Sequence, residues 1–308
     1  MEGVNDPEVV VLGCAGVDTN VFLPGREVDW SVEANFTENL DTPGQAGVYA
    51  SRGYAALGRR VAFIGNLGED ACGSMVRETL ARDGIDTRGV FVDPAGTARS
   101  VNIMSPDGRR KNFYDARNSS LRPDPALCRN LLRGAKLAHV HLADWARHLL
   151  PLAKESGLVV ACDLQDVVDP ADPYRQDFIK AADILFFSAA NYADPEPLIH
   201  RFLRGRPGRI VVAGMGAQGC ALGARDGIHF FPPVSMDRPV VDTNGAGDAL
   251  AVGFLTSHVL EGRPLVDSIR RGQIAARHAC TLRGTSAGLI TSGAMDRYAQ
   301  SLGPEAPH

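Results

Sequence analysis

Short apolar, β-branched runs bounded by Gly, Asp or Pro alternate along the chain with longer segments that carry apolar residues at helical spacing. Residues 9–12, 61–64, 137–142, 158–162, 184–187 and 210–212 read as buried strands. Residues 47–57, 71–82, 125–132, 145–155, 195–203, 246–260 and 264–281 read as helices, with Gly punctuation after them. Repeated strand-then-helix units predict an α/β fold around a mostly parallel sheet, because a parallel return needs a crossover long enough to hold a helix. Two stretches break the rhythm. Residues 17–42 and 88–114 contain short alternating pieces such as 99–104 and 112–114, with an Asp107-Gly108 turn between them, and predict a small second sheet inserted between βα units. A third stretch, 220–231, reads as a hairpin through Arg225-Asp226-Gly227. No internal repeat or low-complexity segment is found, and the tail after Leu302 is expected to fray.

Composition narrows this picture. The 308 residues suit one large domain, or one with an attachment, at roughly 100–200 residues per domain. The 44% hydrophobic and 22% charged content is that of a globular chain with a substantial core. A formal charge of −4 gives no global attraction to nucleic acid or to an anionic membrane. The acidic, polar start lacks the features of a secretory signal, and no run approaches 18 apolar residues, so the expectation is a soluble cytoplasmic protein with neither a nucleic-acid nor a membrane partner. Six scattered cysteines without a CxxC pair read as small buried residues. Only Lys111, Lys136, Lys154 and Lys180 are lysines, so any chemistry that needs a lysine has few candidates.

The segment richest in chemistry is Val240 to Leu250, in which a strand-like end runs into small residues and then a helix. Gly245, Ala246 and Gly247 let backbone N–H groups approach an anion, and the helix that starts there adds its positive end. Asp248 follows within the first turn. A helix-start acid has an ordinary stabilising role, but three small flexible residues before it suit a phosphate nest beside a general base.

Asp242-Thr243-Asn244-Gly245-Ala246-Gly247-Asp248 resembles, complete, the D-T-x-G-A-G-D signature of the PfkB/ribokinase family of carbohydrate and nucleoside kinases. The resemblance covers most of the chain. Gly13 to Asp18 resembles the family's first strand with its substrate-facing acid, and Pro43 to Gly47 with Ala55 to Gly58 its N-terminal signature. Gly65 to Gly73 resembles its G-x-x-G-x-D-x-x-G segment, and Asp107 to Arg110 its lid hairpin. The resemblance implies a single three-layer α/β/α ribokinase-like domain over 1–308, with lid segments at approximately 17–42 and 88–114. It implies an enzyme that moves the γ-phosphoryl group of ATP to a hydroxyl of a small sugar or nucleoside, with Mg2+ and, in some members, K+. Asp248 is then the base and Gly245, Ala246 and Gly247 the anion hole. Asp18, Gly44, Gln45, Tyr49 and Arg110 fall on the substrate side, and Ser188, Gly214, Gly216, Gly219, Thr243 and Asn244 on the nucleotide side. Asn191 stands at a metal-organising position, and Asp242 with the loop 283–286 at a monovalent-cation position. A homodimer paired through the small sheet is the implied assembly.

Two departures stand out. Gln45 and Tyr49 occupy positions where the family has glycine and asparagine near the sugar, and Tyr49 can narrow the pocket or stack on a ring. The family's N-x-x-E aligns with Ser188-Ala189-Ala190-Asn191, which removes a carboxylate near the metal. That loss motivates an alternative, a kinase-like protein that binds nucleotide or metabolite with weak catalysis. A third reading is an NAD-dependent oxidoreductase, from Gly214-Met215-Gly216-Ala217-Gln218-Gly219 after a strand. That fingerprint must open a helix, whereas residues 220–227 predict a hairpin. His139 and His141 alternate on one strand and read as core histidines. Asp163 stands where the family often has an acid near the substrate and phosphate, and Arg277 and His278 are equally consistent with an adenine pocket or a solvated helix face.

Overall fold

Val9 to Leu12 are all fully buried. A strand buries both of its alternating sides only when both faces of its sheet are covered. Val9 and Val11 accordingly pack into one core and Val10 and Leu12 into another. The structure is a computed structural model that describes residues 6–107, 109–115, 121–284 and 287–302. Its strands, in chain order, are β1 (Val9–Leu12), β2 (Gly16–Phe22), β3 (Glu38–Gly44), β4 (Val61–Leu67), β5 (Asp86–Val92), β6 (Ala98–Met104) and β7 (Arg110–Phe113). They continue with β8 (Leu137–His141), β9 (Val159–Asp166), β10 (Ile184–Ser188), β11 (Ile210–Gly214), β12 (Cys220–Ala224) and β13 (Gly227–Phe231).

Nine strands form one sheet in the order β13-β12-β11-β10-β9-β8-β1-β4-β5, parallel from β11 to β5 with an antiparallel hairpin at the other edge. The helices Ala46–Ala56, Ala71–Arg82, Ala246–Leu255, Leu265–Ala279 and Ser292–Ser301 cover one face. The helices Pro125–Leu132, Leu150–Glu155, Pro173–Ala181 and Glu196–Leu203 cover the other, which gives three layers. Asp70, Asp124 and Asp172 accept a backbone N–H of the first turn of their helices, and prolines stand in the first turn after Asp124 and Asp172. From β1 the chain moves outward to β4 and β5, then returns to β8 on the opposite side of β1. Connections on either side of such a reversal diverge and leave a crevice at the carboxyl ends of the strands. Among the described residues, no helix is long and apolar enough to cross a membrane.

The second sheet has the order β3-β2-β6-β7. Its strands come from the two stretches that break the βα rhythm, with one correction: residues 88–92 finish β5 of the large sheet. Val90 packs on one core and Phe91 on the other, where Phe91 meets Trp145 edge-on at 5.4 Å between ring centroids, so this piece is fixed by burial on both faces. The hairpin at 220–231 is present as β12 and β13.

Other boundaries shift for local reasons. The helix expected over 145–155 divides into Asp144–Arg147 and Leu150–Glu155 at Pro151, which has no N–H to continue the ladder. The helix expected over 246–260 is α-helical only to Leu255 and ends in a π turn over Thr256–Leu260. Val240 and Val241, the expected strand end before the motif, lie in a loop and are about half exposed. The helices Pro173–Ala181 and Ser292–Ser301 are additions; each has a low apolar content, and each buries chiefly one side chain, Phe178 and Met295. Gly108, residues 285–286 of the expected cation loop, and the tail beyond Leu302 lie outside the described residues.

Candidate active site

The crevice at the β1/β8 reversal is filled from three directions. His141 ends β8 and stands in register with Asp163 of β9. The helix Ala246–Leu255 begins opposite them, and its first turn carries Asp248. The small sheet supplies Asp18 from β2 and Arg110 from β7.

Gly245 caps this helix at φ 72°, a left-handed conformation that a side chain disfavours. A helix start leaves its first N–H groups without intrahelical acceptors, and the neighbouring Gly247 is exposed with open space where a side chain would stand. Gly245 to Gly247 therefore present backbone amides to a group that could approach from the crevice. The loop behind them is braced by Asp242, whose carboxylate accepts the Asn244 N–H at 2.8 Å and the Gly284 N–H at 3.0 Å. Thr243 contributes its carbonyl, which accepts from Arg110 at 3.2 Å.

Asp248 is different. Its Oδ1 is buried without a hydrogen-bond partner, and His141 Nδ1 lies 4.0 Å away. Burial raises its pKa well above the usual carboxylate range, and Asp163 and Asp18 add to the rise while Arg110 opposes it. Asp163 is pushed up to about 6 by burial, against the Gln165 N–H that it accepts at 2.8 Å. His141 is driven down to about 3 by burial, so its imidazole is neutral at ordinary pH.

Asp18, Gly44, Gln45 and Tyr49 come together at the end of β3 and the start of the helix Ala46–Ala56. The Tyr49 hydroxyl donates to Asp18 Oδ2 at 2.6 Å, and the Gln45 N–H points to the same oxygen at 3.4 Å. Gly44 is obligatory here, since a Cβ would come within 2.5 Å of the Asp18 carboxylate. Burial raises the Asp18 pKa against these hydrogen bonds, and burial with the Asp18 charge raises Tyr49 far above its ordinary value. Asn244 links this group to the motif: its Nδ2 donates to the Tyr49 hydroxyl at 3.1 Å and its Oδ1 accepts from Arg110 at 3.1 Å. Arg110 therefore ties β7 of the small sheet to the helix-start loop.

On the far side, Ser188 and Gly214 are partners in register at the ends of β10 and β11. Gly214 faces Leu250 of the motif helix, and Gly216 and Gly219 turn the chain at φ 58° and 93°. The segment forms a single 3-10 turn and then the antiparallel strand β12, so it does not open the helix that a dinucleotide fingerprint requires, and the oxidoreductase reading fails there. Asn191 is exposed and its amide donates to the Val167 carbonyl at 3.3 Å. Arg277 and His278 are both engaged with backbone carbonyls, of Arg238 and Gly288. The signal that joins His141 and Asp163 to the site is their place at the carboxyl ends of adjacent parallel strands, which the sequence shows only once the strand order is known.

The family model described as pfkB family carbohydrate kinase matches residues 41–292. Acarbose 7(IV)-phosphotransferase of Actinoplanes sp. is 34% identical over 297 residues, covering 95% of this chain and 98% of that protein. Among solved structures, the microbiome-derived acarbose kinase Mak1 matches with a TM-score of 0.87 and 30% identity, over 96% of this chain and 100% of that one. The ribokinase of Thermotoga maritima, at 18% identity and a TM-score of 0.78 over 96% of this chain and 99% of that one, shares the fold.

Proposed function

Because the chain belongs to the pfkB family of carbohydrate kinases, we propose that it transfers the γ-phosphoryl group of ATP to a hydroxyl of a sugar, with Asp248 as general base and the Gly245, Ala246 and Gly247 amides as the anion hole. The acceptor O–H gives its proton to the Asp248 carboxylate, its oxygen bonds to the γ-phosphorus, and the bond from that phosphorus to the bridging oxygen breaks to release ADP. The amides and the helix end stabilise charge that spreads over the phosphoryl oxygens. The observation that carries this reading is the buried, unpartnered Oδ1 of Asp248 beside the open Gly247. A carboxylate with a raised pKa in that position is a better base near neutral pH than an ordinary one.

Asp18, with Gly44, Gln45 and Tyr49 around it, holds the acceptor hydroxyls. Ser188, Gly214, Gly216, Gly219, Thr243 and Asn244 line the nucleotide side, and the small sheet closes over the acceptor through Arg110. Magnesium bound with ATP supplies positive charge to the phosphates. Asn191 suits its hydration shell, because the amide nitrogen is taken by Val167 and the neutral oxygen is left to accept a metal-bound water. Potassium held by backbone groups around Asp242 belongs to the same proposal. So does a homodimer through the small sheet, supported by the exposed cross-strand pair of Val101 on β6 and Phe113 on the edge strand β7. The acarbose kinases among the relatives favour an oligosaccharide of that type as acceptor over a single sugar or a nucleoside.

The test is Asp248→Asn assayed with MgATP, with and without KCl, on acarbose, fructose, ribose and nucleosides. One acceptor should be phosphorylated by the native chain, with turnover falling about 10²–10⁴-fold in the variant. Near-native turnover in the variant overturns the base assignment. Nucleotide binding without product from any acceptor favours a kinase-like binding protein, the reading that the missing carboxylate at Asn191 supports.

A further inference from the structure

We propose that His141, Asp163 and Asp248 form a direct binding site for a borderline divalent cation, Mn2+ or Zn2+, with ligands distinct from those that serve the magnesium of ATP. One ligand atom from each side chain lies within 4.8 Å of the others. His141 is 1% exposed and neither ring nitrogen has a hydrogen-bond partner; the Asp248 Oδ1 that faces it has none either. Leaving buried polar groups in this state is costly, and a cation between them relieves one ring nitrogen of His141 and the Asp248 oxygen together. The ring is held in place, since a Cβ on Gly13 would come 2.9 Å from its Cδ2, and the tilted His139 ring lies 4.4 Å away between centroids and is itself hydrogen-bonded with Tyr54. Asp163 is fixed through the Gln165 N–H.

The donor set selects the ion. A neutral imidazole nitrogen with two carboxylate oxygens suits manganese or zinc, whereas magnesium demands an octahedron of oxygens and keeps its waters. The imidazole stays unprotonated because burial opposes its charge, so its lone pair is available without displacing a proton. Ligand atoms around a four-coordinate ion with bonds of about 2.1 Å stand roughly 3.4 Å apart, so each pair here closes by less than about 1.5 Å. An ion in this site occupies Asp248, and it therefore inhibits transfer in competition with the acceptor. That consequence rests on Asp248 being the base; the binding itself does not.

Chelator-treated full-length protein, without ATP, is titrated calorimetrically with ZnCl2, MnCl2 and MgCl2. One equivalent of Zn2+ or Mn2+ should bind at least tenfold more tightly than Mg2+, and His141→Leu and Asp163→Asn should each weaken it tenfold or more. His200→Ala and His229→Ala remove exposed His–acid pairs, His200 with Glu196 and His229 with Asp226, and should leave binding unchanged. Absent saturable binding, binding that survives both site variants, or binding lost with His200 or His229 overturns the site. Asp163→Asn is nearly isosteric and decides the matter if His141→Leu does not fold. If the ion binds as described but MgATP-dependent turnover is insensitive to it, the site stands and the base assignment fails.

Discussion

Two aspartates flank the helix-start nest, Asp18 buried whole and Asp248 with its Oδ1 buried, and their surroundings are opposites. Asp18 is held by the Tyr49 hydroxyl and the Gln45 N–H, and that arrangement continues through Asn244 to Arg110, so a hydrogen-bonded chain starts on β2 of the small sheet, crosses the body and ends on β7. Asp248 has a buried oxygen with no partner, facing an imidazole that is equally unpartnered. Burial raises both carboxyls; hydrogen bonds from neighbouring side chains oppose the rise at Asp18, whereas at Asp248 the opposition comes first from the Arg110 charge. A satisfied carboxylate is rigid and spends its acceptor capacity on geometry, which suits recognition. An unsatisfied one keeps its capacity for a group that arrives, such as a proton, a hydroxyl or a cation.

The largest break in this contrast is Asp248→Asn, with the turnover loss given above. Next is Asp163→Asn, which acts on the unsatisfied side from outside the nest. The Asp163 pKa of about 6 in the folded chain stands above its ordinary 3.8, so the folded state binds the proton more tightly than the unfolded one. Its contribution is complete below pH 4 and is lost as pH rises to 6, so the native chain loses about 2–3 kcal/mol across that window from this group. Denaturant titrations at pH 4 and pH 7 should show that loss shrink in Asp163→Asn. The acid limb of kcat/KM should also move to lower pH in the same variant, because a like charge that raises Asp248 is gone. An unmoved limb would mean that Asp248 does not govern it.

Tyr49→Phe attacks the satisfied side. It removes the donor to Asp18 and one acceptor of the Asn244 amide in one step, so two buried groups each lose a hydrogen bond. The expected cost is about 1–3 kcal/mol, read as a rise of roughly tenfold in the acceptor KM with kcat changed far less. A fall in kcat of the Asp248→Asn size would erase the distinction between the two aspartates.

How much of this was legible beforehand follows the same division. The nest and Asp248 were readable because they are contiguous: seven residues from Asp242 to Asp248 carry cap, amides and acid in one run. Asp18 was readable by position in its motif. His141 was not, because nothing adjacent to it in sequence marks it; it reaches Asp248 only through the return of the chain to the far side of β1. The strand β5 was misplaced for a related reason, since its partner is β4 while its sequence runs on directly into the small sheet. Local pattern located the elements, and non-local pairing decided which side chains meet.

Gln45 is where a sequence departure becomes a backbone problem. Among the described residues only Gln45 and Gln165 are non-glycines with positive φ, at 70° and 55°, and each directs its N–H to a site aspartate, Asp18 and Asp163. With ψ at 158°, Gln45 lies in a region that is nearly reserved for glycine and costs about 1–3 kcal/mol for other residues. Its side chain returns little, a single long contact of 3.4 Å from Nε2 to the Ser100 hydroxyl. Gln45→Gly should therefore stabilise the fold by about 1 kcal/mol, less than the full strain because glycine also loosens the unfolded chain. The N–H donated to Asp18 is retained in that variant, so the hydrogen-bonded side of the site survives and the acceptor KM should change less than threefold. A destabilised variant would show that the Ser100 contact outweighs the strain, and a large rise in KM would place the Gln45 side chain on the acceptor itself.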